Sequence, residues 1–221
     1  MTGEAMRIPA PAYEIQALLM HPPAADWMVV LGHGAGAGMR HTFMERMAGM
    51  LADRGIATLR YEYPYMTAGS RRPDPAARLE AVTRRVVEFA AAEWSEMRLA
   101  AGGKSMGGRM TSRAQAAAPL ARVETLIFFG FPLHASGAPG VDRAEHLGAV
   151  AVPMLFLQGT RDSLADLELM RSVCAKLEAR ATLHVVDGAD HGFAVLKRSG
   201  RSNDDVMNEL ADTALDWLAA L

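Results

Sequence analysis

An α/β fold, a mostly parallel sheet with helices on both of its faces, is what this sequence predicts, and three observations predict it. From Trp27 onward, short β-prone runs alternate with longer stretches of helical spacing, the pattern left by strands joined through helical crossovers. Each intervening stretch is long enough for a right-handed connection between parallel strands. Half of the 221 residues are apolar and 22% are charged, enough to close one sizeable core, so residues 1–221 read as a single domain.

The elements follow in order. A strand over 13–20 alternates polar Glu14 and Gln16 with apolar Ile15 and Ala17, as a half-buried strand does. The run 28–32, Met-Val-Val-Leu-Gly, is a continuous apolar strand that stops at glycine. A helix over 42–54 follows, with Phe43, Met44, Met47 and Leu51 on one stripe, and then a strand over 57–62. The irregular stretch 69–75 carries glycine and two prolines and leads into a helix over 74–93. A strand over 99–102 passes directly into a helix over 106–117, whose alanine-rich end supplies small packing residues. Strands over 125–129, 154–158 and 182–186 complete the sheet, with helices over 165–179 and 204–221. A second irregular segment covers 131–148. Both irregular segments follow strands, where the crevice of an open α/β sheet binds ligands, and neither is long enough to form a large cap domain.

Bulk properties exclude several classes. A net charge of -2 and a pI near 6.4 give no basic field for nucleic acid, so a small molecule is the expected partner. The first residues, with Glu4 and Arg7, lack the apolar stretch of an export signal. The most apolar run, 149–157, is broken by Pro153 and falls well short of the ~20 residues that span a bilayer. No membrane segment is expected. Cys174, the one cysteine, sits on a helical stripe with Met170, Val173 and Leu177 and reads as a packing thiol in a reducing, cytoplasmic setting. No cluster has the spacing of a metal site, no cofactor is implied, and the oligomeric state is left open.

The strongest motif is Gly103-Lys104-Ser105-Met106-Gly107, followed by Gly108, which matches G-x-S-x-G between a strand and a helix. A nucleophile at the tip of such a turn sits in a strained conformation, and the flanking glycines let strand and helix approach without Cβ clashes. A serine hydroxyl is a weak nucleophile at neutral pH and needs a base to take its proton as the bond forms. His191 follows the strand 182–186 and Asp162 follows the strand 154–158. The order Ser105, Asp162, His191 is the chain order that accompanies a G-x-S-x-G turn. In this arrangement His191 is the base, later the acid, and Asp162 fixes its tautomer.

The run Gly32-His33-Gly34-Ala35-Gly36-Ala37-Gly38 offers main-chain N–H groups after an early strand. Donors to a carbonyl oxyanion are expected from Gly34 or Ala35 and from Met106, the residue after the nucleophile.

Other assignments compete. Asp166 is a nearby alternative to Asp162, and either carboxylate suits a helix cap. Asp190 adjoins His191, but neighbouring side chains on a loop seldom face each other. Among substrate contacts, His41 and His134 stand where they either line the crevice or make loop hydrogen bonds. Arg71 and Arg72 suit an anionic substrate group or plain solvation, and His21 and His184 carry no expected role. A phosphate loop is excluded because Arg98 stands where its first glycine belongs. Gly32-His33-Gly34-Ala35-Gly36-Ala37 also satisfies G-x-G-x-x-A, with Glu62 as a ribose-binding acid, so a dinucleotide-dependent oxidoreductase is a rival class. A non-catalytic binding module on the same fold is another.

These residues resemble the α/β-hydrolases, and more narrowly the compact dienelactone-hydrolase-like enzymes without a large cap, from about Trp27 to Leu221. Gly32-His33-Gly34-Ala35-Gly36, Gly102-Gly103-Lys104-Ser105-Met106-Gly107-Gly108, Phe131-Pro132-Leu133-His134, His146-Leu147 and Gln158-Gly159-Thr160-Arg161-Asp162 look like a subgroup that includes testis-expressed and chromatin-complex proteins. The resemblance implies Ser105, Asp162 and His191 as a catalytic triad and implies no substrate. Dienelactone hydrolases use cysteine as nucleophile, so serine argues against that activity here. The function expected is a serine hydrolase, of carboxylesterase or thioesterase type, acting on a small acyl group through an acyl-enzyme.

Overall fold

The computed structural model describes residues 3–221. Its frame is one sheet of eight strands: β1 (Glu4–Ala10), β2 (Tyr13–Met20), β3 (Trp27–Gly32), β4 (Ala57–Tyr61), β5 (Arg98–Lys104), β6 (Val123–Phe129), β7 (Met154–Gly159) and β8 (Ala181–Val186). The spatial order is β1-β2-β4-β3-β5-β6-β7-β8. From β4 to β8 every pairing is parallel, and β2 joins β4 and β1 antiparallel. This is the mostly parallel α/β sheet, without a lid, that the sequence predicts.

Six helices flank it: α1 (Thr42–Ala52), α2 (Pro64–Thr67), α3 (Ala76–Glu93), α4 (Met106–Ala117), α5 (Leu167–Leu177) and α6 (Asn203–Ala219). The two-residue period of β3 sorts its side chains cleanly. Met28 and Val30 join Leu99, Phe128 and Phe156 beneath α3, α4 and α5, through Val86, Met110 and Met170. Val29 and Leu31 join Ile127 and Leu157 beneath α1 and α6, through Met47 and Leu210. Both faces are thus covered, which is why the central strands read as unbroken apolar runs. A side chain the size of Phe128, fully buried, contributes roughly 2–3 kcal/mol by leaving water.

Three differences from the sequence expectation have local causes. Strand β1 was not expected: only Ile8 of its seven residues is fully buried, and Pro9 suits an edge strand, so its pattern is faint. Helix α3 starts two residues late, at Ala76, because Pro75 is its N-cap. The segment 131–148, expected as irregular, contains a 3-10 turn series, Asp142–Ala149, that buries Ala144 and Leu147.

Cys174 is buried on α5, where burial pushes its thiol up to about 11, consistent with an inert packing role. Among the described residues no helix is long and apolar enough to cross a membrane.

Candidate functional site

Ser105 stands at the turn between β5 and α4 with φ 50° and ψ −114°, a left-handed conformation that L residues adopt at a cost of ~1–3 kcal/mol. The turn is held by Ser105 N–H donating to Phe129 O at 3.1 Å and by Arg109 N–H donating to Ser105 O at 3.1 Å. It requires glycine at position 107, where a Cβ would stand 2.1 Å from Gly32 O. Serine at an N-cap usually spends its hydroxyl on the helix. Ser105 makes no such bond. Its Oγ instead lies 2.9 Å from His191 Nε2.

His191 is carried by the loop after β8. Its Nδ1 lies 2.7 Å from Asp162 Oδ2, and Asp162, on the loop after β7, is buried. Gln158 Nε2 donates to the same Oδ2 at 2.5 Å, and Leu164 N–H donates to Oδ1 at 2.8 Å. With a carboxylate accepting at Nδ1, that nitrogen carries the imidazole proton and Nε2 is left to accept from Ser105. Three loops at the carboxyl ends of β5, β7 and β8 therefore bring together the three residues expected from the sequence. The competing carboxylates are spent elsewhere. Asp166 caps α5 by accepting from Leu169 N–H at 3.0 Å. Asp190 Oδ1 accepts from Gly192 and Ala194 N–H at 2.8 and 2.9 Å, shaping the loop that holds His191.

Lys104, the residue before Ser105, was not singled out by the sequence. Its Nζ donates to the main-chain oxygen of His191 at 2.5 Å and stands 5.1 Å and 5.6 Å from the ring centres of Phe193 and Phe43. Burial lowers its ammonium to about 8, against the opposing pull of Asp162 and Asp190. The signal available in the sequence was a charged residue closing a strand of small apolar ones.

The glycine-rich loop after β3 lies against this turn. A Cβ on Gly34 would stand 3.9 Å from Ser105 Cβ. Among the described residues neither Ala35 N–H nor Met106 N–H has an acceptor, and both residues line the cleft beside Ser105. The loop is pinned by buried His33, whose Nε2 is 2.9 Å from Glu62 Oε1 and whose Nδ1 is 2.7 Å from Gly34 O. Glu62, the acid a dinucleotide would need, is thus committed to the protein.

The cleft beside Ser105 measures about 310 Å³. Its walls include Leu79, Met110, Pro132 and Leu164, together with Arg109 and Arg143. The four expected substrate contacts are elsewhere. His41 is the exposed N-cap of α1, its Nδ1 accepting from Phe43 N–H at 3.3 Å, and it lines a separate, smaller cleft. His134 is buried with both ring nitrogens used: Nε2 accepts from Asp166 N–H at 2.9 Å, and Nδ1 bonds Ala135 O at 2.8 Å. Arg71 and Arg72 are exposed and absent from the walls of the cleft, which the loop enters only at Pro73 and Asp74. A larger groove of about 530 Å³ opens at the amino ends of β3 and β5, beside Trp27 and Arg98, far from these groups.

A serine on a strand-to-helix turn, facing an imidazole from a loop at the same edge of an open sheet, is the arrangement of one large class of proteins, and comparison places the chain there. Residues 25–219 match the alpha/beta hydrolase domain family. The chain belongs to that family. Among solved structures it is similar to an α/β serine hydrolase without lid from Xanthomonas campestris, at 20% identity and TM-score 0.77 over 98% of this chain and 95% of that one. It is also similar to a dienelactone hydrolase from Anabaena variabilis, at 19% identity and TM-score 0.76 over 99% and 97%. Est1E from Butyrivibrio proteoclasticus matches at 16% identity and TM-score 0.74 over 99% and 100%.

Proposed function

We propose that the chain is a serine hydrolase that cleaves an ester or thioester of a small acyl group through Ser105, His191 and Asp162. The observation that carries this is the 2.9 Å approach of Ser105 Oγ to His191 Nε2, with Asp162 behind the imidazole. His191 takes the Ser105 proton as Oγ attacks the carbonyl carbon, then returns it to the leaving alcohol or thiol. Water repeats the sequence on the acyl-enzyme and releases the acid. The tetrahedral oxyanion is held by Met106 N–H and by N–H groups of Gly34 and Ala35, each such donor being worth about 3–4 kcal/mol of transition-state stabilisation.

A cleft of about 310 Å³ supports the preference for a small acyl group. The likeness of the Gly102–Gly108 stretch supports a place near the testis-expressed-protein-like subgroup, in a single domain acting in the cytoplasm. The test is labelling by a fluorophosphonate together with hydrolysis of p-nitrophenyl acetate, by wild type and Ser105→Ala. Wild type is expected to label and turn over and the variant to do neither. A folded wild type inert in both assays sinks the reading and leaves a binding module.

A further inference from the structure

We propose that the cleft beside Ser105 is an anion-accepting subsite in which Arg109 and Arg143 hold a carboxylate of the substrate, so that the preferred esters carry a carboxylate on their acyl half. The inference rests on Ser105 being the nucleophile and adds the substrate class. Both arginines line the same cleft as Ser105. Arg109 lies four residues into the chain beyond it on α4, and helical side chains lean toward the N-terminus of their helix, here the Ser105 end.

Among the described residues the Arg109 guanidinium has no hydrogen-bonded partner in this cleft, although it is half-buried, and Glu80 is the carboxylate whose charge acts on it. Burial, then the charges of Arg143 and Arg113, hold its pKa below the usual guanidinium value. Arg143 donates one bond, from Nη1 to His134 O at 2.9 Å. The neighbouring Arg113 is paired with Glu80 at 2.5 Å. Asp74, the carboxylate among the lining residues, accepts from Arg78 at 3.1 Å through Oδ1, while its Oδ2 is buried without a hydrogen-bond partner among the described residues. Other guanidiniums without acceptors, such as those of Arg71 and Arg72, stand out in water.

A half-buried cation without a partner is costly, and an arriving carboxylate relieves that cost through charge-assisted, bidentate bonds. The apolar walls at Leu79, Met110 and Leu164 suit the methylenes between such a carboxylate and the ester carbonyl.

The experiment compares mono-p-nitrophenyl adipate with its methyl ester, which has the same chain without the charge. A six-carbon chain is chosen because shorter hemiesters hydrolyse themselves through their own carboxylate. Rates are measured for wild type, Arg109→Met and Arg109→Met/Arg143→Met, with fluorophosphonate labelling of each. Wild type is expected to favour the charged ester by about tenfold or more in kcat/KM, the scale of one charge-assisted bond. The ratio should fall toward one in the double variant. A wild type that labels and hydrolyses the methyl ester but shows no preference, or a double variant that keeps the preference, overturns the subsite while the nucleophile stands. If wild type neither labels nor cleaves either ester, the nucleophile assignment fails and the substrate class falls with it.

Discussion

Lys104 Nζ donates a 2.5 Å hydrogen bond to the main-chain oxygen of His191, so the residue before the proposed nucleophile holds the loop that carries the proposed base. A misplacement near 1 Å can cost on the order of a hundredfold in rate. Lys104→Met, which keeps the stem and removes the donor, is therefore expected to lower kcat/KM by about ten- to a hundredfold. The pH profile separates positioning from unfolding. Burial brings the ammonium from 10.5 to about 8. Between those values the unfolded chain keeps this proton and the folded chain has lost it, so this group makes stability rise with pH across that window. The neutral amine makes a weaker bond than the ammonium, so activity falls above about pH 8 without a parallel fall in melting temperature due to Lys104. The variant should lack that limb. An unchanged profile and rate would dismiss the role.

Asp162→Asn should preserve the fold and abolish most turnover. Asp162 Oδ2 accepts from both His191 Nδ1 and Gln158 Nε2. An asparagine whose oxygen keeps the Oδ1 place, accepting from Leu164 N–H, sets its NH2 at the Oδ2 place, where it donates to the ring while the Gln158 amide turns its oxygen to accept, and the imidazole proton moves to Nε2. Nε2 then no longer accepts from Ser105. The expected loss in kcat is about 10³–10⁴-fold, measured on p-nitrophenyl acetate beside circular dichroism of each protein. Turnover at the wild-type level would remove Asp162 from the mechanism.

The meeting of Ser105, His191 and Asp162 is legible in the sequence because parallel strands deliver their following loops to one edge of the sheet, whatever the side-chain details. Strand boundaries and chain order are enough. Lys104 and Gln158 are harder to see, since their roles depend on a loop returning from 87 residues away or on a neighbour across a turn. The substrate-facing residues are the least legible. Whether Arg71 or Arg72 faces the cleft depends on how the segment 69–75 lies over it, and no periodicity encodes that path. His134 shows the same limit: its position in a loop after β6 gives no hint that the ring bonds Asp166 N–H. Strand β1 escaped notice because an edge strand needs little burial, and alternation is the signal that burial leaves behind.

Gly107→Ala tests the elbow itself. The added methyl would stand 2.1 Å from Gly32 O and 2.3 Å from Gly32 C, both main-chain atoms at the end of β3. Strand and helix must separate, and the separation moves Ser105 relative to the Gly34 loop. The variant is expected to lose ~3 kcal/mol or more of stability, with fluorophosphonate labelling lost in whatever fraction folds. Gly49→Ala, on the open face of α1 with nothing nearby, serves as the control and should be neutral or mildly stabilising. Equal melting temperatures for the two variants would contradict the close approach.

His146 predicts an acid-side loss of stability. Its Nε2 lies 2.7 Å from Ser112 Oγ, and burial, followed by the charges of Arg113 and Arg109, lowers its pKa from 6.5 to about 4. Between pH 6.5 and 4 the unfolded chain binds this proton and the folded chain does not. Stability from this group is thus complete above 6.5 and is lost as pH falls toward 4. His146→Gln, which cannot titrate and can still reach Ser112, should flatten that part of the profile in melting experiments. Arg109→Met removes one of the two cationic neighbours but leaves the burial, so it should flatten the profile less. Burial as the leading cause fails if the arginine variant has the larger effect, and the assignment to His146 fails if its own variant follows the wild-type curve.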